Sequence, residues 1–242
     1  MTTAIILAGG LGTRLRSVVS ELPKPMAPVA GRPFIEHLLD YWIAQGITRF
    51  ILSVGYRSEA IIEHFGHGYK DADLDYAIET HPLGTGGAAL LAASQLDSDM
   101  PFLLLNGDTY FAIGLESLKA FSREKDADLC FSLFRSPDKD RYMGMDVLPD
   151  GRIRSLKITG DAEILMNGGV YWLRPQILRD FTCLPGDRLS LEEDIFPAIL
   201  TSEQRVYGLE FASTFVDIGV PADYHRAQTL LSAETRCSPS EH

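Results

Sequence analysis

The chain has 242 residues and carries 22 Lys+Arg against 33 Asp+Glu, a formal net charge of −11. That length suits one large domain or a domain with an attached lobe, and 45% hydrophobic with 23% charged residues supports an ordinary core and excludes wholesale disorder. The acidic balance excludes a general nucleic-acid binder, which needs surplus Lys and Arg to displace counterions; it leaves room for a small phosphate-rich ligand held by backbone N–H groups, a few placed cations and a metal ion.

No basic region precedes the first apolar stretch, so residues 4–7 read as a strand and not as a leader. Helix 34–45 follows, with Phe34, Leu38, Tyr41 and Trp42 at i, i+4, i+7 and i+8 on one face. Strands at 50–54, 74–78, 102–105 and 129–133 then alternate with helices at 58–65, 86–95 and 115–124. Such alternation predicts an α/β fold with a Rossmann-like, mostly parallel sheet covered by helices on both faces. Ligands on such a sheet sit at the carboxyl ends of its strands.

After about residue 135 the pattern changes. Strands are expected at 144–148, 152–158 and 169–173, with the turn signal Pro149-Asp150-Gly151 between the first two. Helices at 176–181 and 191–200 follow, the second capped by Ser190 with Glu193 three residues on. A strand at 215–217 leads into a helix opened by Pro221. The expectation is one domain over residues 1–231, divided near residue 135, with a frayed polar tail at 232–242. Cys130, Cys183 and Cys237 show no C-x-x-C spacing, which disfavours a disulfide framework or a zinc site. No apolar run reaches the ~18 residues that span a bilayer. A soluble cytoplasmic protein is expected.

Directly after the first strand stands Leu7-Ala8-Gly9-Gly10-Leu11-Gly12-Thr13-Arg14. Three glycines in four positions let the backbone approach a ligand and aim successive N–H groups at an anion. The spacing is neither G-x-G-x-x-G nor G-x-x-x-x-G-K-[ST], which disfavours an oxidoreductase dinucleotide fold and a P-loop alike. A plain turn explains the glycines alone equally well; Arg14 tips the reading toward phosphate, which a guanidinium matches bidentately. In Leu22-Pro23-Lys24-Pro25 the flanking prolines stiffen the loop. By itself Lys24 is most simply a solvated loop lysine. Asp108 and Asp217 each end a short apolar strand, and two converging aspartates suit magnesium, although an isolated Gly-Asp is commonly a turn. His64-x-x-His67 reads as solvated and not as a zinc site.

Taken together, G-G-x-G-T-R-L followed by P-K-P-x-x-P-V closely resembles the signature of the sugar-1-phosphate nucleotidylyltransferases. The resemblance continues through His81-Pro82-Leu83-Gly84-Thr85-Gly86-Gly87, Leu105-Asn106-Gly107-Asp108, Asn167-Gly168-Gly169-Val170-Tyr171 and Phe215-Val216-Asp217-Ile218-Gly219, and so covers about residues 3–230. It implies that a sugar 1-phosphate attacks the α-phosphorus of a nucleoside triphosphate and releases pyrophosphate, with no protein nucleophile. In that picture Arg14, Lys24 and Asp108 are catalytic, and Asp108 and Asp217 hold Mg²⁺. Leu7, Ala8, Gly9, Gly10, Gly12, Thr13, Arg14, Glu79, Gly84, Thr85 and Asn106 bind the nucleotide. Gly144, Lys157, Asn167, Gly168 and Glu193 bind the sugar, and a homodimer is compatible.

Glu79 stands where thymidylyltransferase relatives place a glutamine. A carboxylate there suits the N1–H and 2-amino hydrogens of guanine, so GTP is the expected nucleotide. The pattern E-x-x-P-L-G-T-G-G-A with D-I-G-V-P-x-D-Y looks most like the branch that uses D-glycero-D-manno-heptose 1-phosphate, with mannose-1-phosphate guanylyltransferases as neighbours. Two departures stand out. Leu156-Lys157-Ile158-Thr159 lacks the Glu-Lys pair of many relatives, and Tyr142-Met143-Gly144 replaces their Tyr-Gly. A non-catalytic sugar-nucleotide sensor on the same fold is the rival reading; it should have lost Lys24 or a metal ligand, and this chain keeps all three.

Overall fold

A computed structural model describes residues 2–10, 22–136, 142–156, 164–184 and 186–237. The elements run β1 (Thr3–Leu7), β2 (Pro28–Val29), β3 (Arg32–Pro33), α1 (Phe34–Ile43), β4 (Arg49–Val54), α2 (Ser58–Phe65), β5 (Gly68–Tyr69), β6 (Ala72–Ile78) and α3 (Gly84–Ala93). There follow β7 (Phe102–Asn106), β8 (Thr109–Phe111), α4 (Leu115–Glu124), β9 (Leu129–Ser136), β10 (Gly144–Val147), β11 (Ile153–Ser155) and β12 (Ile164–Leu173). The chain closes with α5 (Phe196–Thr201), β13 (Val206–Glu210), β14 (Phe215–Asp217) and α6 (Pro221–Cys237). A ten-stranded sheet has the order β11-β10-β12-β7-β1-β4-β6-β5, with β9 pairing β12 and β13 pairing β9.

Its first half is the parallel arrangement that the alternation implies: β7, β1, β4 and β6 run side by side. In the second half β12 runs antiparallel to both β7 and β9, so the whole sheet is mixed. Alternate side chains take opposite faces. Ala4 and Ile6 pack with Ile35, Leu39 and Trp42 of α1, whereas Ile5 joins Ala89 and Ala92 of α3 on the other side. The stripe expected on α1 is therefore split: Trp42 faces the sheet, while Phe34 and Leu38 face away from it. They meet β2, the β8–β14 ribbon and α6 in a third core around Tyr110, Val216, Ile218 and Tyr224.

Four of the predicted elements differ from expectation. β12 begins at Ile164, earlier than predicted, and carries a register shift between Asn167 and Tyr171, where the glycine pair gives the backbone freedom to bulge. The segment opened by Ser190 starts as a π-type turn, Leu191–Ile195; Pro197 has no N–H to give Glu193, which breaks the α ladder there. The helix expected at 176–181 is a short 3₁₀ turn, Pro175–Leu178. α6 continues as helix to Cys237, past the start of the expected tail at Ser232. Among the described residues no helix is long and apolar enough to cross a membrane.

The N-terminus of α3 is fixed by the chain that leads into this π-turn. Gly86 N–H donates to Leu189 O at 2.8 Å and Leu189 N–H to Leu83 O at 2.9 Å. Gly84 has φ +77°, and a Cβ there would overlap the Leu189 carbonyl. Gly84→Ala is expected to cost about 1–3 kcal/mol through backbone strain and this overlap, read as a lowered urea midpoint; an unchanged midpoint refutes the close docking.

Candidate active site

Asp108 follows β7, at the strand ends where ligands collect. Its turn depends on Gly107, which donates to Leu7 O at 3.0 Å and has no room for a Cβ beside that carbonyl. The β8–β14 pairing sets Asp217 opposite Thr109, and Ile218 N–H donates to Asp108 O at 2.9 Å. Lys24, in the 3₁₀ turn Lys24–Met26, donates to Asp108 Oδ2 and lies 4.0 Å from Asp217 Oδ1. A Cβ on Gly219 would stand 2.7 Å from Asp217 Oδ1 and 2.8 Å from Lys24 Nζ, so that glycine keeps the corner open. Three residues remote in sequence thus form one charged centre.

Among the described residues no group of three or more His, Cys, Asp or Glu gathers to hold a metal. A carboxylate pair nevertheless fits magnesium, which takes its other oxygens from water and phosphates. Lys24 shows that the corner accepts positive charge.

The centre opens into a cleft of about 880 Å³. Leu7, Gly9, Gly10, Lys24, Glu79, Gly84, Thr85, Asn106 and Asp108 line it, and so do Asn167, Gly168, Glu193 and Asp217. Two predicted residues stand back from this wall. Ala8 is buried and donates to Ser53 O at 2.8 Å; Gly144 pairs with Met166, while its neighbours Tyr142 and Met143 line the cleft. Gly12, Thr13, Arg14 and Lys157 lie outside the described residues. Arg188 and Glu192 also line the cleft, and the sequence reading named neither as a site residue. A signal exists for Glu192, which stands in the acidic run Glu192-Glu193-Asp194 directly after the Ser190 cap. Arg188 had none; its Nε donates to Pro82 O at 3.3 Å across the rim.

Beneath the wall lies a buried polar junction. Tyr171 is fully buried, and its hydroxyl accepts from Asn167 Nδ2 at 2.8 Å and also hydrogen-bonds Asn106. Asn167 Oδ1 accepts from Gly169 N–H at 3.1 Å. The side chain of Asn106 fills the space above Gly169, whose φ is +71°. The Asn-Gly-Gly signature is thus a bulge that lets two strands share one network. His64, in contrast, pairs with Glu36 at 2.7 Å and not with His67.

The fold is that of a nucleotidyl transferase: residues 3–234 match the family described as Nucleotidyl transferase, and the chain belongs to it. The D-glycero-alpha-D-manno-heptose 1-phosphate guanylyltransferase of Aneurinibacillus thermoaerophilus is 40% identical over 94% of this chain and 97% of its own length. Its counterpart in Campylobacter jejuni is 37% identical over 92% and 96%. The crystal structure of HddC from Yersinia pseudotuberculosis complexed with GMP-PN is 35% identical, covers 95% of this chain and 99% of that chain, and has a TM-score of 0.81.

Glu79 follows β6 and faces Gly9, which has no room for a Cβ beside Oε1. Its Oε2 accepts from Leu83 N–H at 2.9 Å. Burial pushes its carboxyl above the usual range, opposed by the Leu83 N–H and by His81. The folded state therefore holds the proton to higher pH than the unfolded chain, and stability falls as pH rises through that interval. Glu79→Gln is neutral and keeps an acceptor for Leu83. It is expected to melt a few degrees above the wild type at neutral pH, and the gap should close below the ordinary carboxylate pKa of about 4.3. Thermal melts across pH check this; a gap that persists in acid refutes the burial argument.

Proposed function

We propose that this chain joins GTP and D-glycero-α-D-manno-heptose 1-phosphate to give GDP-heptose and pyrophosphate. The observation that carries the reading is the convergence of Lys24, Asp108 and Asp217 at the strand ends of a nucleotidyl transferase fold. The choice of GTP and heptose is supported by the two relatives, 40% and 37% identical over nearly the whole chain.

A phosphate oxygen of the sugar 1-phosphate forms the new bond to the α-phosphorus as the bond to the pyrophosphate oxygen breaks. No protein nucleophile takes part, so the residues contribute placement and charge neutralisation. Gly9 and Gly10 let the triphosphate approach the backbone, and Gly12, Thr13 and Arg14, which follow in the sequence, join in binding it. Arg14 holds the departing pyrophosphate. Lys24 neutralises charge on the reacting phosphates, and its proline-flanked loop limits the reorganisation this requires. Asp108 and Asp217 would hold Mg²⁺, which supplies further neutralisation of phosphate charge. Glu79 reads guanine, its backbone bond to Leu83 fixing the carboxylate. Asn106 and Thr85 border the nucleotide, and Asn167, Gly168 and Glu193 border the sugar. Arg188 is a described cation on the wall besides Lys24 and suits the sugar phosphate where the Glu-Lys pair is missing.

The direct test is pyrophosphate release from five nucleoside triphosphates (GTP, ATP, CTP, UTP and dTTP) against heptose and mannose 1-phosphates. GTP with the heptose is expected to give the highest kcat/KM; preference for another pair overturns the reading. Lys24→Ala and Asp108→Ala should each lose at least about 100-fold in kcat, the scale of a missing electrostatic contact, with an unchanged circular dichroism spectrum. Glu79→Gln should narrow the preference for GTP over dTTP by about tenfold or more, the scale of a hydrogen bond to a charged group. An unchanged ratio removes Glu79 as the reader of the base.

A further inference from the structure

Glu192 stands at the start of the π-type turn Leu191–Ile195, on the cleft wall with Asn167 and Gly168. π-type turns inside helices concentrate at functional sites. Its Oε2 is held by two hydroxyls whose donors are both committed. Leu191 N–H donates to Thr85 Oγ1 at 2.9 Å, and Thr85 Oγ1 donates to Glu192 Oε2 at 3.2 Å. From the other side Glu193 N–H donates to Ser190 Oγ at 3.1 Å, and Ser190 Oγ donates to the same Oε2 at 3.3 Å. Each hydroxyl receives from the backbone and gives to the carboxylate, so both point one way. The other oxygen, Oε1, has no hydrogen-bond partner among the described residues.

A carboxylate only accepts hydrogen bonds. It repels phosphate, so the ligand group it meets is a neutral donor. Glu79, the carboxylate assigned to the base, faces Gly9. Glu192 lies instead near the Tyr171 end of β12, where its charge and that of Asp108 add to burial in raising the phenol above its ordinary value. The donors expected on that side are sugar hydroxyls.

We propose that Glu192 is a specificity-determining residue that accepts hydrogen bonds from sugar-ring hydroxyls through Oε1, with Thr85 and Ser190 as its positioning residues. This rests on the sugar-1-phosphate reading above. It also gives Thr85 a second meaning: a residue of the nucleotide segment sets the aim of a sugar contact, and the docking of Leu189 on Gly84 and Gly86 brings the two segments together.

Steady-state kinetics of Glu192→Gln, Thr85→Val and Thr85→Ser, with each substrate varied in turn, test it. Wild-type turnover with any sugar 1-phosphate secures the underlying reading; its absence from every pair overturns that reading and this one with it. Given turnover, Glu192→Gln should raise KM for the sugar 1-phosphate by about tenfold or more, the scale of a hydrogen bond to a charged group, and leave KM for GTP within about twofold. Thr85→Val should move the same constant less, and Thr85→Ser should restore it. Deoxysugar 1-phosphates supply a readout that loose folding does not move. For the sugar lacking the hydroxyl that Glu192 reads, wild type and Glu192→Gln should have equal KM. An unchanged sugar KM, a rise in KM for GTP instead, or an equal penalty on every deoxysugar overturns the proposal.

Discussion

Two carboxylates brought together in a cleft repel each other unless a positive charge stands beside them. In this chain Asp108 and Asp217 meet at one end of the β8–β14 ribbon, and the positive charge beside them is the ammonium of Lys24. Much of the molecule outside the sheet serves to keep that ammonium in place. Lys24 leaves a proline-flanked turn and the chain runs at once into β2, whose Pro28 carbonyl accepts from Tyr224 Oη at 2.6 Å and Gln228 Nε2 at 2.9 Å, both on α6. Gln228 Oε1 accepts from Ala30 N–H at 2.8 Å, and His37 Nε2 donates to Val29 O at 2.9 Å. Burial is the main cause that lowers the His37 pKa, and a neutral ring lets Nδ1 accept from the Arg32 guanidinium at 3.1 Å. The last helix thus helps to place Lys24.

The parallel half of the fold was legible because its signals are local. Short apolar runs between amphipathic segments specify strands and helices with no knowledge of partners, and the residues of the charged centre sit beside conspicuous glycines and prolines. The rest depends on contacts that sequence does not display. β13 was not foreseen: Gly208 interrupts its apolar pattern, and the reason for a glycine there is spatial, since a Cβ would stand 2.9 Å from Ile153 Cδ1 and crowd Leu133. β2, β3 and β5 are two residues each, too short to carry a period. Gly84 of the α3 segment is read as a nucleotide contact, yet Gly84 and Gly86 also answer to the Leu189 carbonyl. A motif glycine can serve the chain and the ligand together.

The two halves are joined by more than packing. Asn106 ends a strand of the parallel half, Asn167 lies on β12, and the phenol of Tyr171 hydrogen-bonds both under the cleft floor. A buried polar group is costly unless its bonds are made, and a satisfied network fixes its members more narrowly than apolar packing does. The network therefore ties the strand that leads to Asp108 to the strand that carries Asn167. Displacing either half by a few tenths of an ångström degrades a shared hydrogen bond, so the two walls of the cleft keep one register.

The proposed substrates are anionic, and so is the cleft. Among the described residues its wall carries Glu79, Asp108, Glu192, Glu193 and Asp217 against Lys24 and Arg188. Such a wall gains nothing from phosphate unless its carboxylates are assigned elsewhere. Lys24 quiets Asp108 and Asp217, which leaves that pair suited to a phosphate-bound cation. Glu79 is fixed by the Leu83 N–H, and Glu192 by two hydroxyls that are aimed by their own backbone donors. On the function proposed above, these carboxylates accept the N–H edge of a base and the hydroxyls of a sugar, and the phosphates are left to backbone N–H groups and cations. On that reading each part of the paired ligand meets the one class of group that does not repel it, and selectivity follows from the charge balance that alone would have excluded phosphate.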